Sequence, residues 1–384
     1  MVAPVPVHLI EKLISFDTVS RNSNMALLDF ARDYLGKLGV EAKIVPNEDG
    51  SKANLYATIG PNEPGGVVLS GHTDVVPVDG QDWSTDPFSL VEKNGKYFGR
   101  GVADMKTYCA LAMGILPEFL ASKPSKPIHL AFSYDEEIGC IGAPSMIKKM
   151  ADEVPSPMAV IVGEPTDMQV VTGHKSILGV NTHVIGHSVH SCQWDRGVSA
   201  VMTAARLINW LEETMLENRR RADPNSPYDP PFSTLHCGVI EGGTASNIVA
   251  KECVFSTDIR TIAGEDPMVF YQSFEAYIRD EIEPAMQGIA PDAKVVLSHR
   301  DVVPGLVPEN NGGAERIARQ ITGDNATHAV SYATEAGQFQ AAGFSTVICG
   351  PGSIDQAHQP DEFITLDQVS KGWDFMQGVA KALQ

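Results

Sequence analysis

The sequence predicts an α/β fold in which a mainly parallel sheet is interrupted by a smaller, inserted α+β domain. Four short apolar runs end in polar residues and alternate with helical patterns, as expected for buried parallel strands covered by helices. Between about Leu178 and His299 the pattern changes to half-buried strands and long helices, and the buried-strand pattern then resumes. We therefore predict a first domain at residues 1–177 and 300–384, with an inserted domain at 178–299.

Composition is that of a globular chain able to bury a core. The 384 residues are 43% hydrophobic, and 48 acidic against 29 basic residues give a formal net charge of −19. This balance argues against a nucleic-acid surface or a polybasic membrane patch, because both need clustered Lys and Arg. The six cysteines form no C-x-x-C pair, and the sequence has neither a basic leader nor a run of ~18 apolar residues. We expect a cytoplasmic protein without disulfides and without nucleic-acid or membrane partners.

The elements of the first domain are predicted in order. Residues 25–38 carry apolar side chains at helical spacing and are followed by Gly39, which predicts a helix that opens the domain. The segment "LDQVSKGWDFMQGVAKAL" predicts a closing helix. The four apolar runs predict buried strands at residues 65–74, 128–137, 158–165 and 344–352.

The inserted segment has its own order of elements. A strand is predicted in "LGVNTHVIGHSVH", a long helix in "SAVMTAARLINWLEETMLENRR", and two strands in "TLHCGVIEGG" and "NIVAKECVFSTDIRTI". A helix in "MVFYQSFEAYIRDEIEP" and a strand in "AKVVLSH" complete it. The order β-α-β-β-α-β is the ferredoxin-like arrangement, which is self-sufficient as a small domain.

Polar side chains follow each apolar run of the first domain. In parallel α/β sheets, ligands bind beyond the carboxyl ends of the strands, so these side chains should meet in one crevice. Three adjacent acids at 135–137 would repel one another there unless a cation compensated them. The candidates are His72 and Asp74, then Glu136 and Glu137, then Glu164, then His358, with Asp104 in "GRGVADMK" before a predicted helix.

Two imidazoles and several carboxylates in one crevice indicate a metal site with nitrogen and oxygen ligands. Five ligands exceed the need of one tetrahedral zinc and suit two ions about 3.5–4 Å apart that share a carboxylate. Taken singly, His72 is also compatible with a hydrogen-bonded strand end and Asp104 with a helix N-cap. Glu164 is likewise compatible with a turn, and His358 with a surface loop. Their joint occurrence at the strand ends favours the metal site.

Five motifs, "SGHTDVVP", "GRGVADMK", "DEEIGCIGA", "GEPT" and "AHQPDE", together resemble the M20 metallopeptidase and deacylase family, in order and across nearly the whole chain. The resemblance implies a hydrolase with two Zn²⁺ ions, which Co²⁺ can replace, and an inserted domain that forms a homodimer. "SYATEAGQFQ" and "CGPGSIDQAHQPDEF" are most similar to members that deacetylate N-acetyl-L-ornithine. Members that desuccinylate N-succinyl-diaminopimelate usually carry Ser-Asp where this chain has Glu335 and Ala336.

The resemblance also implies how the metal ligands divide. Asp104 would bridge both ions. His72 and Glu164 would bind one ion, and Glu137 and His358 would bind the other.

Two more residues of the first domain are implied in catalysis. Asp74 would orient His72 through its carboxylate. Glu136 would accept a proton from the attacking water and deliver it to the leaving amine. Alternation along an extended backbone would send the side chains of Glu136 and Glu137 in different directions.

Four residues are implied in substrate contacts. His190, which matches a family histidine that reaches across a dimer interface, would stabilise the oxyanion; a polar strand residue is the alternative. Asn247 would donate to the substrate. Arg260 would bind an α-carboxylate through its fork, unless it is only an exposed strand residue. Glu335, beside the catalytic loop, is predicted to contact the side-chain ammonium of ornithine.

Two alternative functions remain open from the sequence. The first is another amide hydrolysis of the same family, either the desuccinylation of N-succinyl-diaminopimelate or a broader N-acyl-amino-acid deacylation. The second is a non-catalytic, metal-dependent binding protein on the same fold. The presence of Glu136 argues against the second, because a binder needs no base beside the metal.

Overall fold

The computed structural model describes residues 4–384, and they form two compact units. The first unit contains the described residues up to Gly173 together with Leu306–Ala329 and Thr334–Gln384. The second unit contains His174–Gly305 and Val330–Ala333. Each unit has its own hydrophobic core. No helix among residues 4–384 is long and apolar enough to cross a membrane.

Helices and strands are numbered here in chain order. The helices of residues 4–384 are α1 (Val7–Ile14), α2 (Met25–Lys37), α3 (Lys106–Gly114), α4 (Leu116–Ala121), α5 (Ala143–Glu153), α6 (Ala200–Arg220), α7 (Pro267–Tyr277), α8 (Glu283–Gln287), α9 (Gly313–Thr322), α10 (Ala336–Ala341) and α11 (Leu366–Ala382). The strands are β1 (Ala42–Pro46), β2 (Ala53–Ile59), β3 (Val67–His72), β4 (Val91–Lys93), β5 (Lys96–Phe98), β6 (Ile128–Ser133), β7 (Ala159–Pro165), β8 (Val171–His174), β9 (Ser176–Ile185), β10 (Thr234–Gly242), β11 (Glu252–Thr261), β12 (Lys294–His299), β13 (His328–Val330), β14 (Thr346–Gly350) and β15 (Phe363–Thr365).

An eight-stranded sheet in the order β1-β2-β6-β3-β7-β14-β8-β13 forms the centre of the first unit. The four predicted apolar runs became β3, β6, β7 and β14, which lie next to one another and are parallel. All residues of these four strands are buried, as expected for a sheet covered on both faces. The prediction of a parallel central sheet is therefore confirmed, with antiparallel pairs at β1–β2, β2–β6 and β14–β8.

Helix α3 packs closely on the central strands because two strand glycines leave room for it. A Cβ at Gly163 would lie 2.1 Å from the ring of Tyr108, and a Cβ at Gly71 would lie 2.8 Å from Cys109 Sγ. The hydroxyl of Tyr108 also donates to the carbonyl of Ile161 at 3.0 Å. These contacts fix α3 beside the ends of β3 and β7, where the candidate ligands begin.

The prediction that the helix at residues 25–38 opens the first domain is wrong. α2 occupies Met25–Lys37, but α1 precedes it at Val7–Ile14 and packs its apolar face into the core. The apolar positions of α1 recur at helical spacing, so the signal was present in the sequence.

The second unit contains a four-stranded antiparallel sheet in the order β10-β11-β9-β12. With α6 between β9 and β10 and α7 between β11 and β12, this is the predicted ferredoxin-like arrangement, which is confirmed. Burial alternates along β9 and β11, so one face packs on the helices. The second predicted helix is divided into α7, a π-helical turn at Ile278–Ile282 and α8.

Candidate metal centre

Six candidate side chains lie together at the carboxyl edge of the central strands. His72 is the last residue of β3, and Glu164 is the penultimate residue of β7. The turn after β6 carries the adjacent acids Glu136 and Glu137. Parallel strands bring such positions to one edge of the sheet. The group, called the strand-end cluster below, consists of His72, Asp104, Glu136, Glu137, Glu164 and His358.

Asp104 lies between the two histidines of the strand-end cluster. Its Oδ1 is 2.9 Å from His72 Nε2, and its Oδ2 is 3.3 Å from His358 Nε2. His72 Nε2 is also 3.8 Å from Glu164 Oε1, whereas His358 Nε2 is 3.0 Å from Glu137 Oε2. Each imidazole thus has one carboxylate of its own, and both share Asp104.

Two buried carboxylate oxygens of the cluster, Glu137 Oε1 and Glu164 Oε1, have no hydrogen-bond partner among residues 4–384. Buried polar atoms are normally paired, so oxygens of this kind require an explanation such as a bound ion. Imidazole nitrogens and carboxylate oxygens are ligands that zinc and similar divalent metals accept. The residues therefore fit metal ions, with Asp104 as the group able to contact two of them.

Without cations, the three glutamates of the cluster hold protons unusually well. Burial, followed by the charge of Asp104, raises the pKa of Glu137 to about 7 and raises the pKa of Glu164 well above its usual value. Burial likewise raises the pKa of Glu136 to about 8. Burial would also raise the pKa of Asp104, but its contacts with His358 and His72 outweigh burial and lower it. Several buried carboxyl groups that lie close together cannot all ionise unless positive charge is added.

The pKa values of the two histidines are also raised, which favours their charged form. Contacts with Asp104 and Glu137 raise the pKa of His358 to about 10. Burial alone would lower the pKa of His72, but the contact with Asp104 and the charges of Glu164 and Asp104 outweigh burial and raise it. The protonated imidazoles supply positive charge that bound metal ions would otherwise supply.

Glu136 and Glu137 have different contact partners, since Glu137 contacts His358 and Glu136 contacts Cys140. Glu136 Oε1 accepts a hydrogen bond from the thiol of Cys140 at 3.2 Å. The explanation by strand alternation is wrong, because β6 ends at Ser133 and both acids lie in the following turn. Distance alone does not separate Glu136 from the ligands, since ligand atoms of His72, Glu136 and Glu164 all lie within 4.8 Å of one another.

Asp74 supports the turn more directly than it supports His72. His72 Nδ1 lies 2.9 Å from the backbone carbonyl oxygen of Asp74, but 3.7 Å from its carboxylate. The carboxylate accepts the backbone N–H groups of Glu136 at 3.1 Å and Glu137 at 3.3 Å, and the hydroxyl of Ser20 at 2.7 Å. Asp74 therefore links β3 to the turn that carries the two acids.

Glu362 holds the loop that carries Asp104, and this contact was not predicted. Its carboxylate accepts the backbone N–H groups of Ala103 at 2.8 Å and Asp104 at 3.2 Å. Arg100 Nη1 donates to the same carboxylate at 2.7 Å, and both side chains are 1% exposed. Arg100 and Glu362 stand in the motifs "GRGVADMK" and "AHQPDE", so the sequence located them without indicating that they pair.

Asp135, the first of the three adjacent acids, pairs with Lys52. Lys52 Nζ is 2.5 Å from Asp135 Oδ1, and both side chains are largely buried. Burial raises the pKa of Asp135 despite this partner. The three acids thus have three separate environments: an ion pair, a thiol contact and the histidine of the strand-end cluster.

Glu335, predicted to contact an ammonium group, lies in the interior of the first unit. Glu335 is 1% exposed, and its two oxygens accept hydrogen bonds from the hydroxyls of Ser70 and Ser133, each at 2.6 Å. Burial raises the pKa of this carboxyl group. Both oxygens are already used within the first unit, so Glu335 is placed to tie α10 to β3 and β6.

The candidates His190 and Asn247 lie in the second unit, on exposed and adjoining segments. His190 Nδ1 accepts the backbone N–H of Cys192 at 3.2 Å. The backbone N–H of Ser191 donates to the carbonyl of Asn247 at 2.9 Å. In the neutral imidazole, an accepting Nδ1 leaves the proton on Nε2, so Nε2–H is the donor that His190 can offer.

Arg260, the third candidate of the second unit, is partly engaged. Its Nε donates to Asp258 Oδ2 at 2.8 Å, and its Nη1 donates to the carbonyl of Ser331 at 3.3 Å. The side chain is 35% exposed. It is therefore oriented by its own unit before any ligand is considered.

Comparison with known proteins agrees with this geometry. Residues 68–382 match peptidase family M20/M25/M40. Acetylornithine deacetylase from Photorhabdus laumondii is 33% identical over 371 residues, which cover 94% of this chain and 93% of that protein. An M20 family metallo-carboxypeptidase from Sulfolobus solfataricus has a similar fold, with a TM-score of 0.77 at 17% identity over 99% of both chains. A dinuclear metal-binding M20 peptidase from Bacillus subtilis gives a TM-score of 0.66 at 14% identity over 98% of this chain and 97% of that one. The chain belongs to peptidase family M20/M25/M40 and is a metal-dependent hydrolase.

Proposed function

We propose that the protein hydrolyses N-acetyl-L-ornithine to L-ornithine and acetate, a step that supplies ornithine for arginine biosynthesis. The observation that carries the proposal is the strand-end cluster, in which Asp104 lies between two histidine-carboxylate pairs. The substrate is supported by curated relatives named acetylornithine deacetylase that are 30–33% identical over most of the chain.

Two zinc ions are the proposed metals, and cobalt is the proposed substitute. Asp104 would contact both ions, with His72 and Glu164 on one side and Glu137 and His358 on the other. Such ions polarise an amide carbonyl, and they lower the pKa of a water molecule bound to them to about 7. The buried oxygens of Glu137 and Glu164 without hydrogen-bond partners support this assignment.

Glu136 is the proposed general base and acid. It would accept a proton from the attacking water and then deliver it to the departing amine of ornithine. Its raised pKa of about 8, caused by burial, is that of the cluster without metal ions, and added positive charge would lower it toward neutral pH. Asp74 would act as a positioning residue, since it fixes the backbone of Glu136.

His190 is the proposed oxyanion donor, acting from the partner subunit of a homodimer. The Nδ1 contact with Cys192 supports this role because it favours the Nε2–H tautomer. An argument for the dimer comes from β10, which lies at the edge of its sheet. Two of its apolar residues, Val239 and Ile240, are 60% and 49% exposed. Exposed apolar edges of this kind tend to pair with another strand.

The substrate carboxylate is assigned to Arg260, and a hydrogen bond to the substrate is assigned to Asn247. Arg260 suits this task because its planar fork matches a carboxylate. The predicted ammonium contact of Glu335 is not part of the proposal, because both of its oxygens are occupied. Recognition of the ornithine ammonium is therefore left to other residues.

The direct test compares two substrates with the purified, metal-loaded protein. We expect kcat/KM for N-acetyl-L-ornithine to exceed that for N-succinyl-LL-diaminopimelate. A preference for the succinyl compound would favour the desuccinylase alternative. Equal rates on uncharged N-acetyl amino acids would favour a broad deacylase, and the absence of hydrolysis of all of them would favour a binding protein.

A further inference from the structure

We propose that Cys140 is a positioning residue for Glu136: its thiol donates a hydrogen bond to Glu136 Oε1, which leaves Oε2 to exchange the proton with water and amine. This inference rests on the proposed function, because it concerns the base of that reaction. It assigns a role to a cysteine that is neither a metal ligand nor part of a disulfide.

The contact joins a donor to an acceptor that is charged once bound cations lower the pKa of Glu136. Cys140 Sγ lies 3.2 Å from Glu136 Oε1, and Cys140 is 3% exposed. Burial and then the charge of Glu136 raise the pKa of the Cys140 thiol well above its usual value, so the thiol keeps its proton at neutral pH. A thiol is a weak donor, but an ionised acceptor strengthens the hydrogen bond.

The backbone at this position is a second, independent observation. Cys140 has φ of 53°, in the left-handed region that residues with a Cβ rarely occupy. Glycine would adopt this conformation without strain, so local backbone preference does not explain a cysteine here. The contact between its side chain and Glu136 does explain it.

The loop around Cys140 is fixed on two sides. Its N–H donates to the carbonyl of Glu136 at 2.8 Å, which closes the turn between the two residues. Gln338 Nε2, from α10, donates to the carbonyl of Cys140 at 2.8 Å. Because the backbone of Cys140 is held in this way, its thiol can limit the rotamers of the Glu136 side chain. A catalytic group needs such limits to keep its productive geometry.

Three substitutions distinguish the effect of the thiol hydrogen bond from the effect of the backbone conformation at Cys140. Cys140→Ser keeps a donor, Cys140→Ala removes it, and Cys140→Gly removes it while relieving the left-handed backbone. Cys349→Ala is the matched control, because Cys349 is also buried but its nearest acceptor is the carbonyl of Met168 at 3.6 Å. If only the backbone mattered, the glycine variant would be at least as active as the wild type.

The measurement is steady-state hydrolysis of N-acetyl-L-ornithine. We expect Cys140→Ala and Cys140→Gly to lower kcat by about 3- to 10-fold, which corresponds to the loss of one hydrogen bond, with KM changed little. Cys140→Ser should recover most of kcat, and Cys349→Ala should match the wild type. Wild-type kcat in either Cys140→Ala or Cys140→Gly would overturn the proposal.

A spectroscopic measurement tests the contact without relying on activity. In the metal-loaded protein, the infrared S–H stretching band of Cys140, assigned by its loss in Cys140→Ser, should shift when Glu136 is replaced by Gln, because the ionised acceptor becomes neutral. An unchanged band would overturn the proposal. A shifted band in a protein that hydrolyses no N-acyl amino acid would support the contact and reject the proposed function, so the two failures are distinguishable.

Discussion

The two units support their candidate residues in different ways. In the first unit, the strand-end cluster is held by contacts that exist without a ligand, such as the carboxylates of Asp74 and Glu362 on the turns of Glu136 and Asp104. In the second unit, His190 and Asn247 are exposed, and one backbone N–H orients the imidazole. The difference indicates that the first unit holds the strand-end cluster in place by its own contacts, whereas His190 and Asn247 remain exposed on the second unit.

The largest expected effect is that of Glu136→Gln. We expect kcat to fall by about 10²- to 10⁴-fold, the usual contribution of a general acid-base, while two metal ions remain bound. Steady-state kinetics and elemental analysis of the purified variant measure the two quantities. Glu118→Gln, on an exposed helical position, is the control and should behave as the wild type. Loss of one metal ion in Glu136→Gln would show that Glu136 is a ligand.

The next effect tests whether the second unit acts across a dimer. His190→Ala should lower kcat by about 10²- to 10³-fold, as for loss of one oxyanion donor. Mixing and reassembling this variant with Glu136→Gln should restore part of the activity, because a mixed dimer would contain one site with both groups intact. Reassembly that restores nothing, despite proven mixed dimers, would place His190 in the same chain as its site or outside catalysis.

A third substitution tests the preorganisation of the first unit. Glu362→Gln leaves the buried guanidinium of Arg100 without its charged partner, which typically costs about 3–5 kcal/mol. We expect a lower denaturation midpoint and weaker metal retention during dialysis. Asp367→Asn is the matched control, since it removes an exposed pair with Lys371 that is worth about 1 kcal/mol or less. Equal stability of the two variants would contradict the supporting role of Glu362.

Sequence reasoning located the candidate metal centre because one local rule governs the positions of its residues. Side chains that follow apolar runs meet at the edge of a parallel sheet, and this rule found His72 and Glu164. It could not find the partner of Asp135, because Lys52 is 83 residues away and no local pattern links the two. The same limit applies to Glu362, which is 258 residues from Asp104.

The contacts of Glu335 with two serine hydroxyls were not predicted, although the sequence carried a signal for them. Ser70 and Ser133 interrupt two otherwise apolar runs, and buried hydroxyls of this kind require a partner. A carboxylate buried elsewhere in the fold satisfies both. The fold itself was predictable in its central strands, whose residues are mostly apolar. The outer strands β1 and β2 were not predicted.

The smallest expected effect is the pH dependence of the metal-free protein. The pKa values of Glu137 and Glu136 are raised to about 7 and about 8, so these two carboxyl groups bind more protons in the folded protein than in the unfolded chain between about pH 4.5 and 8. The stability that they contribute should therefore fall as pH rises through this window. The raised pKa of His358, about 10, acts in the same direction, because its stabilisation is complete below about pH 6.5 and is lost toward pH 10.

Denaturation midpoints at about pH 6 and pH 8, with and without chelator, measure this effect. We expect the metal-free protein to lose stability between the two values and the metal-loaded protein to lose less, because bound cations replace the protons. A metal-free protein that loses no more stability between the two pH values than the metal-loaded protein would contradict the account of the cluster.

The central claim is that the strand-end cluster of the first unit is a two-metal hydrolytic centre. It is tested most directly by stripping the enzyme of metal and following turnover of N-acetyl-L-ornithine as zinc or cobalt is titrated back. The account predicts that activity rises to its maximum at two equivalents per chain. Full activity at one equivalent, or activity that is independent of added metal, would contradict it.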